Sequence, residues 1–270
     1  MHVMPELPDV ERFKRILARS ALGKRVERVV VSDARILGKR SPRTFVECLQ
    51  GASLVEARRH GKHLMARLDR GGWLALHFGM TGALHFVQDL DKEPPFTRVR
   101  LDFRKDGHLA YTNKRMIGRV DVVDDATEFI AREKLGPDAL DPHFSLAEFR
   151  AAVADIKRDV KSALMDQELV AGIGNIYSDE ILFQARIDPT TRVSELSQAS
   201  LKHLFTVMRK VLETAIAHGA GSEEFIDQMP KGALLPERKK GGQCPRCHSQ
   251  LSVSKVGGRT SYYCPRCQRG

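Results

Sequence analysis

The chain changes hydrophobic rhythm along its length. Between Leu7 and Ala21 the apolar residues Val10, Phe13, Ile16 and Leu17 return at helical spacing, and Pro8 suits a first turn, so a helix is predicted there. From Val26 onward the apolar positions gather into short strand-like runs, at 26–31, 53–68, 73–87, 99–103 and 119–123. Gly-Lys, Arg-Gly-Gly and Lys-Asp-Gly turn signals separate them. Many short strands with one apolar face predict an antiparallel β-sandwich closed by the first helix. Residues 135–142 (Leu-Gly-Pro-Asp-Ala-Leu-Asp-Pro) hold two prolines and a glycine and mark a linker. The pattern then becomes helical. Ser145 with Glu148 three residues on forms a capping box, and segments 161–167, 177–185 and 197–218 follow, the last a long amphipathic helix. Near the end the rhythm is strand-like again, alternating from Leu251 to Lys255 and turning at Gly257-Gly258 as a β-hairpin does.

The cysteines decide what that hairpin is. Cys244-Pro-Arg-Cys247 and Cys264-Pro-Arg-Cys267 flank a sixteen-residue spacer. Each C-x-x-C knuckle offers two thiolates from one tight turn, and four such ligands complete a tetrahedral Zn²⁺ with no open position. One structural zinc is therefore expected, held by Cys244, Cys247, Cys264 and Cys267. A pair of disulfides is the less favoured alternative, because the rest of the chain reads as intracellular. Cys48, in the apolar helical pattern Phe45-Val46-Glu47-Cys48-Leu49, reads as a buried thiol. Arg246, Lys255, Arg259, Arg266 and Arg269 stud the ribbon and suit phosphate contact. The formal charge of +10 raises the odds of a polyanionic partner. No apolar run has the length of a membrane span and no hydrophobic signal core opens the chain, so a soluble intracellular protein is expected. The glycines of Ala171-Gly-Ile-Gly-Asn175 free backbone N–H groups at a helix start and make a candidate anion site. An ordinary helix–helix turn is the slightly favoured reading of that stretch.

Met4-Pro-Glu-Leu-Pro-Asp-Val-Glu11 resembles the N-terminal signature of the formamidopyrimidine-DNA glycosylases, usually Met-Pro-Glu-Leu-Pro-Glu-Val-Glu. The resemblance continues through Arg59-His-Gly-Lys62, His77-Phe-Gly-Met-Thr-Gly82, Leu164-Met-Asp166, Gly172-Ile-Gly-Asn-Ile-Tyr177 and the four-cysteine ribbon with Arg259 in its hairpin. It spans nearly the whole chain in the right order. It implies an α+β multidomain fold: a catalytic β-sandwich with a leading helix (5–134), a helix–two-turn–helix DNA-binding domain (143–235) and a zinc finger (240–270). It also implies a bifunctional glycosylase and AP lyase of base-excision repair. Such an enzyme removes oxidised or ring-opened purines from damaged double-stranded DNA and cleaves the strand by β,δ-elimination. A monomer in a bacterial cytoplasm is the matching expectation.

The resemblance assigns roles that the chemistry of the side chains fits. A free N-terminal proline is a secondary amine able to form an iminium with a sugar C1′, so Pro5 is the expected nucleophile. The base must be flipped out of the stack to be reached. Glu6 suits general acid/base work on the opened sugar. Lys62 matches the family's second essential amine, although without the family it reads as a solvated strand lysine. Asn175 and Arg259 match a phosphate clamp, since an amide and a forked guanidinium donate to phosphate oxygens. His77 matches a further DNA contact, against the alternative of a satisfied strand histidine. Glu180 matches the family's acidic position, against a cap or a surface charge.

Three departures bear on substrate range and processing. The family fills the hole left by the flipped base with a methionine, an arginine and a phenylalanine. Here Met80 and Arg115 are present, and Ile117 stands for the phenylalanine. An aliphatic wedge still intercalates but lacks a stacking ring. The segment between Gly219 and Cys244 is shorter than the family's, which trims the loop that caps 8-oxoguanine. Finally, Met1-His-Val3 precedes Met4-Pro5, yet an amide-bound proline nitrogen is not nucleophilic. Met4 is therefore expected to be the true start. An endonuclease VIII-like oxidised-pyrimidine glycosylase and a catalytically silent lesion binder are the competing functions, with a zinc-ribbon RNA binder behind them. Pro5, Glu6 and Lys62 together favour the enzyme.

Overall fold

The computed structural model describes residues 4–89, 92–104, 107–219 and 228–269. The expectation about residues 1–3, and part of the shortened segment after Gly219, lie outside the described residues. The chain divides into two units, one holding Met4, Pro5 and Asp9–Glu133 and the other Glu6–Pro8 and Lys134–Gly270.

The first unit contains most of α1 (Leu7–Ser20), then β1 (Val26–Val31), α2 (Pro42–Leu49), β2 (Leu54–His60), β3 (His63–Leu68), β4 (Trp73–His77), β5 (Gly82–Val87), β6 (Thr97–Phe103), β7 (His108–Asn113), β8 (Arg119–Val123) and α3 (Ala126–Arg132). The strands form two four-stranded sheets, ordered β1-β6-β7-β5 and β2-β3-β4-β8, and every strand pair is antiparallel. Between them lies one apolar core, into which α1 sends Val10, Phe13 and Leu17 beside Leu64, Leu76, Phe78, Leu101 and Tyr111. The Phe13 and Phe78 rings lie 4.4 Å apart. Burying side chains of this size contributes roughly 1.5–3 kcal/mol each, so this core holds the sandwich together.

Two of the expected runs each resolve into two strands. Residues 53–68 fold back at Gly61-Lys62 to give the β2–β3 hairpin, and residues 73–87 break at 78–81 so that β4 and β5 belong to different sheets. Strand β7 and helix α3 are additions to the expected pattern. All six β7 residues are buried, including His108, Thr112 and Asn113, so the strand shows no alternation of apolar and polar positions. Helix α3 is capped by Asp125 and lays Phe129 over Met65, Trp73 and Ala75 on the outer face of the second sheet.

The second unit comprises α4 (Leu146–Val153), α5 (Val160–Met165), α6 (Asn175–Ala185), α7 (Gln198–Ala217) and the hairpin β9 (Ser252–Val256) and β10 (Arg259–Tyr263). The Ser145/Glu148 capping box forms as expected, and Ser197 caps α7. Helix α6 is buried almost all round, from Ile176 to Phe183, which is why no amphipathic stripe marks it. Among the described residues no helix is long and apolar enough to cross a membrane.

Candidate functional site

In the first unit, the candidate residues gather at one end of the sandwich. Lys62 sits in the β2–β3 turn and is only 8% exposed, so it is not a solvated strand lysine. Arg59, just before that turn, donates to Glu11 of α1 at 3.1 Å and to the Gly61 carbonyl at 3.4 Å, which fixes the hairpin. His77 ends β4. Its ring lies 4.8 Å from that of its cross-strand partner His63. Burial, then the Lys62 charge, pushes the His77 pKa down to about 4; burial, then His77, pushes His63 down to about 3. Both rings are therefore neutral near pH 7, hydrogen-bonding groups rather than cations.

The three candidate void-filling residues lie on two adjoining loops. The Tyr111 hydroxyl donates to the His77 carbonyl at 2.8 Å, and Asn113 Nδ2 donates to the Phe78 carbonyl at 2.9 Å, tying β7 to the end of β4. The Arg115 N–H donates to Thr81 Oγ1 at 3.0 Å, and its guanidinium reaches the Met80 sulfur at 3.3 Å. Ile117 is 47% exposed, one of few large apolar side chains so placed. Met80, Arg115 and Ile117 are thus brought together on adjoining loops, with the isoleucine side chain exposed. Pro5 is buried and belongs to this unit.

In the second unit, the glycine-rich turn before α6 does bind an anion, and the anion is the chain's own. The Glu6 carboxylate accepts the N–H groups of Gly174 at 2.7 Å, Ile176 at 2.8 Å and Tyr177 at 3.1 Å. Gly174, the N-cap of α6, supplies no side-chain cap, so Glu6 satisfies the otherwise open donors of that helix end. An acceptor-only carboxylate among three donors is held in one orientation. Asn175 opens α6, with its side-chain oxygen buried and without a hydrogen-bond partner among the described residues.

Arg259 is exposed at the start of β10, beside the Gly257-Gly258 turn in which both residues have positive φ. The hairpin is anchored by Asp179, a fully buried carboxylate one turn into α6. Asp179 accepts from Lys161 Nζ, Ser261 Oγ and Arg238 Nε, each at 2.7 Å, and from the Tyr262 N–H at 3.1 Å. Arg238 also lies over the Tyr262 ring. Sequence reading did not single out Lys161, Asp179 or Arg238, although an acid four residues after Asn175 on an apolar helix was a usable signal. Glu180, beside Asp179, is 1% exposed. Burial raises its pKa to about 7, and it accepts from the Leu235 N–H at 2.9 Å and from Gln184 at 2.7 Å. It is a buried anchor for the segment before the ribbon rather than a surface charge.

The four cysteine sulfurs lie within 4.8 Å of one another. Cys244 and Cys267 are 3.8 Å apart, and Cys247 and Cys264 are 3.5 Å apart. A zinc bound at 2.3 Å by four sulfurs has a tetrahedral edge of about 3.8 Å, so the set fits Zn²⁺ with no open position. Around it, Cys244 and Cys264 pack with Leu251, Leu234 and Phe183 of α6, and the Arg246 guanidinium stacks on Phe183 at 4.2 Å.

Known proteins match along the whole chain. The family models for the formamidopyrimidine-DNA glycosylase N-terminal domain and H2TH domain match residues 4–120 and 135–227. A formamidopyrimidine-DNA glycosylase of Acaryochloris marina is 34% identical, the alignment covering 98% of this chain and 99% of that protein. One from Arabidopsis thaliana is 32% identical over 98% of this chain and 71% of its own length. Among solved structures, the Lactococcus lactis enzyme non-covalently bound to DNA containing an AP site has a TM-score of 0.87 at 26% identity. A MutM complex with DNA containing carbocyclic 8-oxo-G has a TM-score of 0.88 at 26% identity. In both comparisons 98% of this chain and all of the other are covered. With the zinc ribbon, the Glu6-capped helix and these matches in agreement, the chain belongs to the formamidopyrimidine-DNA glycosylase family.

Proposed function

We propose that this chain is a bifunctional DNA glycosylase and AP lyase that excises oxidised or ring-opened purines from double-stranded DNA and then cleaves the strand. The observation that carries this reading is the Glu6 carboxylate, held by three backbone N–H groups and directly following Pro5 in the chain. Pro5, once it is the free N-terminus, attacks C1′ of the flipped nucleotide; the bond from C1′ to the base breaks, and the base leaves with the bonding electron pair and takes a proton from water. Glu6 takes the proton that the amine loses and returns it to the sugar ring oxygen, which opens the ring to the iminium. That exchange needs a base in a fixed orientation, as the α6 N-terminus provides.

Lys62, Asn175, Arg259 and neutral His77 hold phosphates on the lesion side, and Met80, Arg115 and Ile117 fill the vacated stack. Glu180 acts through the segment it anchors at Leu235. Zinc, when bound by the four cysteines, is structural; it fixes the knuckles of the hairpin that carries Arg259. The chain works in three parts: residues 5–134 as the catalytic sandwich, 143–235 as the helical DNA-binding domain and 240–270 as the zinc finger. It acts as a monomer in the cytoplasm.

Borohydride trapping on a duplex with one abasic site, using protein that begins at Pro5, tests the chemistry without the question of base recognition. The expected result is a covalent adduct that maps to Pro5. Tight binding with no adduct would replace the enzyme by a silent lesion binder. Oxidised pyrimidines released in preference to purines would move the chain to the endonuclease VIII type.

A further inference from the structure

At the end of the sandwich away from Lys62, His77, Met80 and Arg115 lies an open groove of about 790 Å³. It is formed by the link from α1 to β1, the link from α2 to β2, the β3–β4 turn and the end of β6. Strand β3 runs from His63 at the candidate site to Leu68 beside that turn, so about 20 Å of strand separates the two ends. Among the described lining residues, Arg25, Arg70 and Arg104 stand with Lys24 against one carboxylate, Glu27, which lies 3.9 Å from Arg104.

Two of the cations converge. A Cβ on Gly51 would lie 3.3 Å from both terminal nitrogens of Arg70 and 3.4 Å from one of Arg25, so the two guanidiniums meet over a residue without a side chain. Among the described residues neither has a carboxylate within ion-pair distance, although elsewhere in this unit arginines are commonly paired, as Arg59 with Glu11 and Arg100 with Asp102. Like charges brought together without an ion-paired carboxylate, with Asp69 beside Arg70 as the acid that feels its charge, form a seat for an anion, and paired guanidinium forks match phosphate and carboxylate geometry. The apolar lining points to the nucleic acid rather than a peptide. Val26 and Phe103 belong to the core, at 0% and 4% exposure, and none of the exposed large apolar side chains lines the groove. A peptide would find no pocket to anchor a side chain, whereas a phosphodiester backbone needs only spaced cations.

We propose that this groove is a second nucleic-acid-binding surface, which takes the phosphate backbone of a duplex segment other than the one at the candidate site. The proposal rests on the reading of the chain as a DNA-acting enzyme. Its consequence is that one molecule bridges two segments and passes between them without full release.

The test uses the full-length, zinc-loaded protein bound to an immobilised abasic duplex and measures capture of a second, fluorescent undamaged duplex. Arg25→Ala/Arg70→Ala should lower that capture at least about tenfold and reduce the slope of log affinity against log salt by about 1.8, for two lost phosphate contacts. Single-turnover cleavage of a short abasic duplex should stay within about twofold, which also shows that the variant is folded. Capture unchanged in the double variant would overturn the proposal. So would wild-type protein that cleaves but captures no second duplex. Tighter capture of a labelled oligoglutamate than of the duplex, lost in the variant, would overturn it in favour of an acidic protein partner. A protein that neither binds nor cleaves the abasic duplex would instead refute the proposed function.

Discussion

At Gly174 the chain comes so close to Glu6 that a Cβ would sit 2.4 Å from its Cδ and 2.5 Å from Oε1. A methyl group there must push the carboxylate off the three N–H groups that orient it. Gly174→Ala should therefore reduce strand cleavage at an abasic site by about 10²-fold or more, the range of a lost general acid/base, while zinc content and duplex affinity persist. Glu6→Gln gives the same phenotype without the steric change, and a normal cleavage rate in both would remove Glu6 from the mechanism. Glu180 makes a different prediction. Its folded pKa of about 7 lies above the ordinary carboxylate value of 4.5, so the folded chain holds this proton more tightly than the unfolded chain. The stability this gives is complete below pH 4.5 and is lost as pH rises through 7. Glu180→Gln stays neutral throughout, so the thermal midpoint of the variant relative to wild type should be higher at pH 8 than at pH 5. An equal difference at both pH values would contradict the assignment. The sequence pointed to Glu6 and Glu180 as acids of interest through the family resemblance. It gave no sign that one caps a helix distant in sequence and the other is desolvated, because both depend on what folding brings against them.

At the scale of elements, the hairpin that presents Arg259 is oriented by α6 through one carboxylate. Asp179 and Lys161 are both fully buried as a 2.7 Å ion pair, and Arg238 adds a second cation at 2.7 Å. Desolvation pulls the Lys161 pKa below its usual value while Asp179 pulls it back up, so the ammonium depends on its partner. Removing the acid strands two buried cations, a change that costs about 3–5 kcal/mol in comparable sites. Asp179→Ala should lower the unfolding free energy of the second unit by that order, measured by denaturant titration. Hydrogen exchange should also rise in β10, where Tyr262 loses its acceptor. A loss under about 1 kcal/mol would mean that the network does not organise the hairpin. Elements were legible in the sequence where one face is polar: β1 and α7 lie within a residue or two of the expected ranges. They were illegible where both faces are covered. Strand β7 hides His108, Thr112 and Asn113 in the interior and so shows no alternation, whereas α6, buried nearly all round with Asp179 and Glu180 inside, was still read as a helix over 177–185, two residues short of its start.

Across the whole molecule, the three changes of hydrophobic rhythm correspond to sandwich, helices and hairpin, but the short linker motif did not reveal that Glu6–Pro8 groups with the second unit while Pro5 groups with the first. A three-residue exchange of that kind has no compositional signature. It follows from the α6 N-terminus needing an acceptor and from Leu7, whose N–H donates to the Gly172 carbonyl at 3.0 Å. Metal removal then distinguishes what each unit owes to zinc. The first unit rests on its own apolar core, with Leu64, Leu76 and Tyr111 nearly or fully buried and no cysteine ligand among them. The ribbon has little core beyond Leu251, Leu234, Phe183 and the cysteines themselves, and without a cation its four sulfurs would crowd within 4.8 Å as competing thiolates. Chelation, or Cys247→Ser, should therefore release protection from exchange across residues 240–269 and abolish duplex binding, while amides of β3, β4 and β7 remain protected. The Asp179 network should leave β10 the slowest part of the ribbon to open, since its anchor does not involve the metal. If the sandwich lost protection together with the ribbon, the two units would be one cooperative body and zinc would stabilise the whole chain.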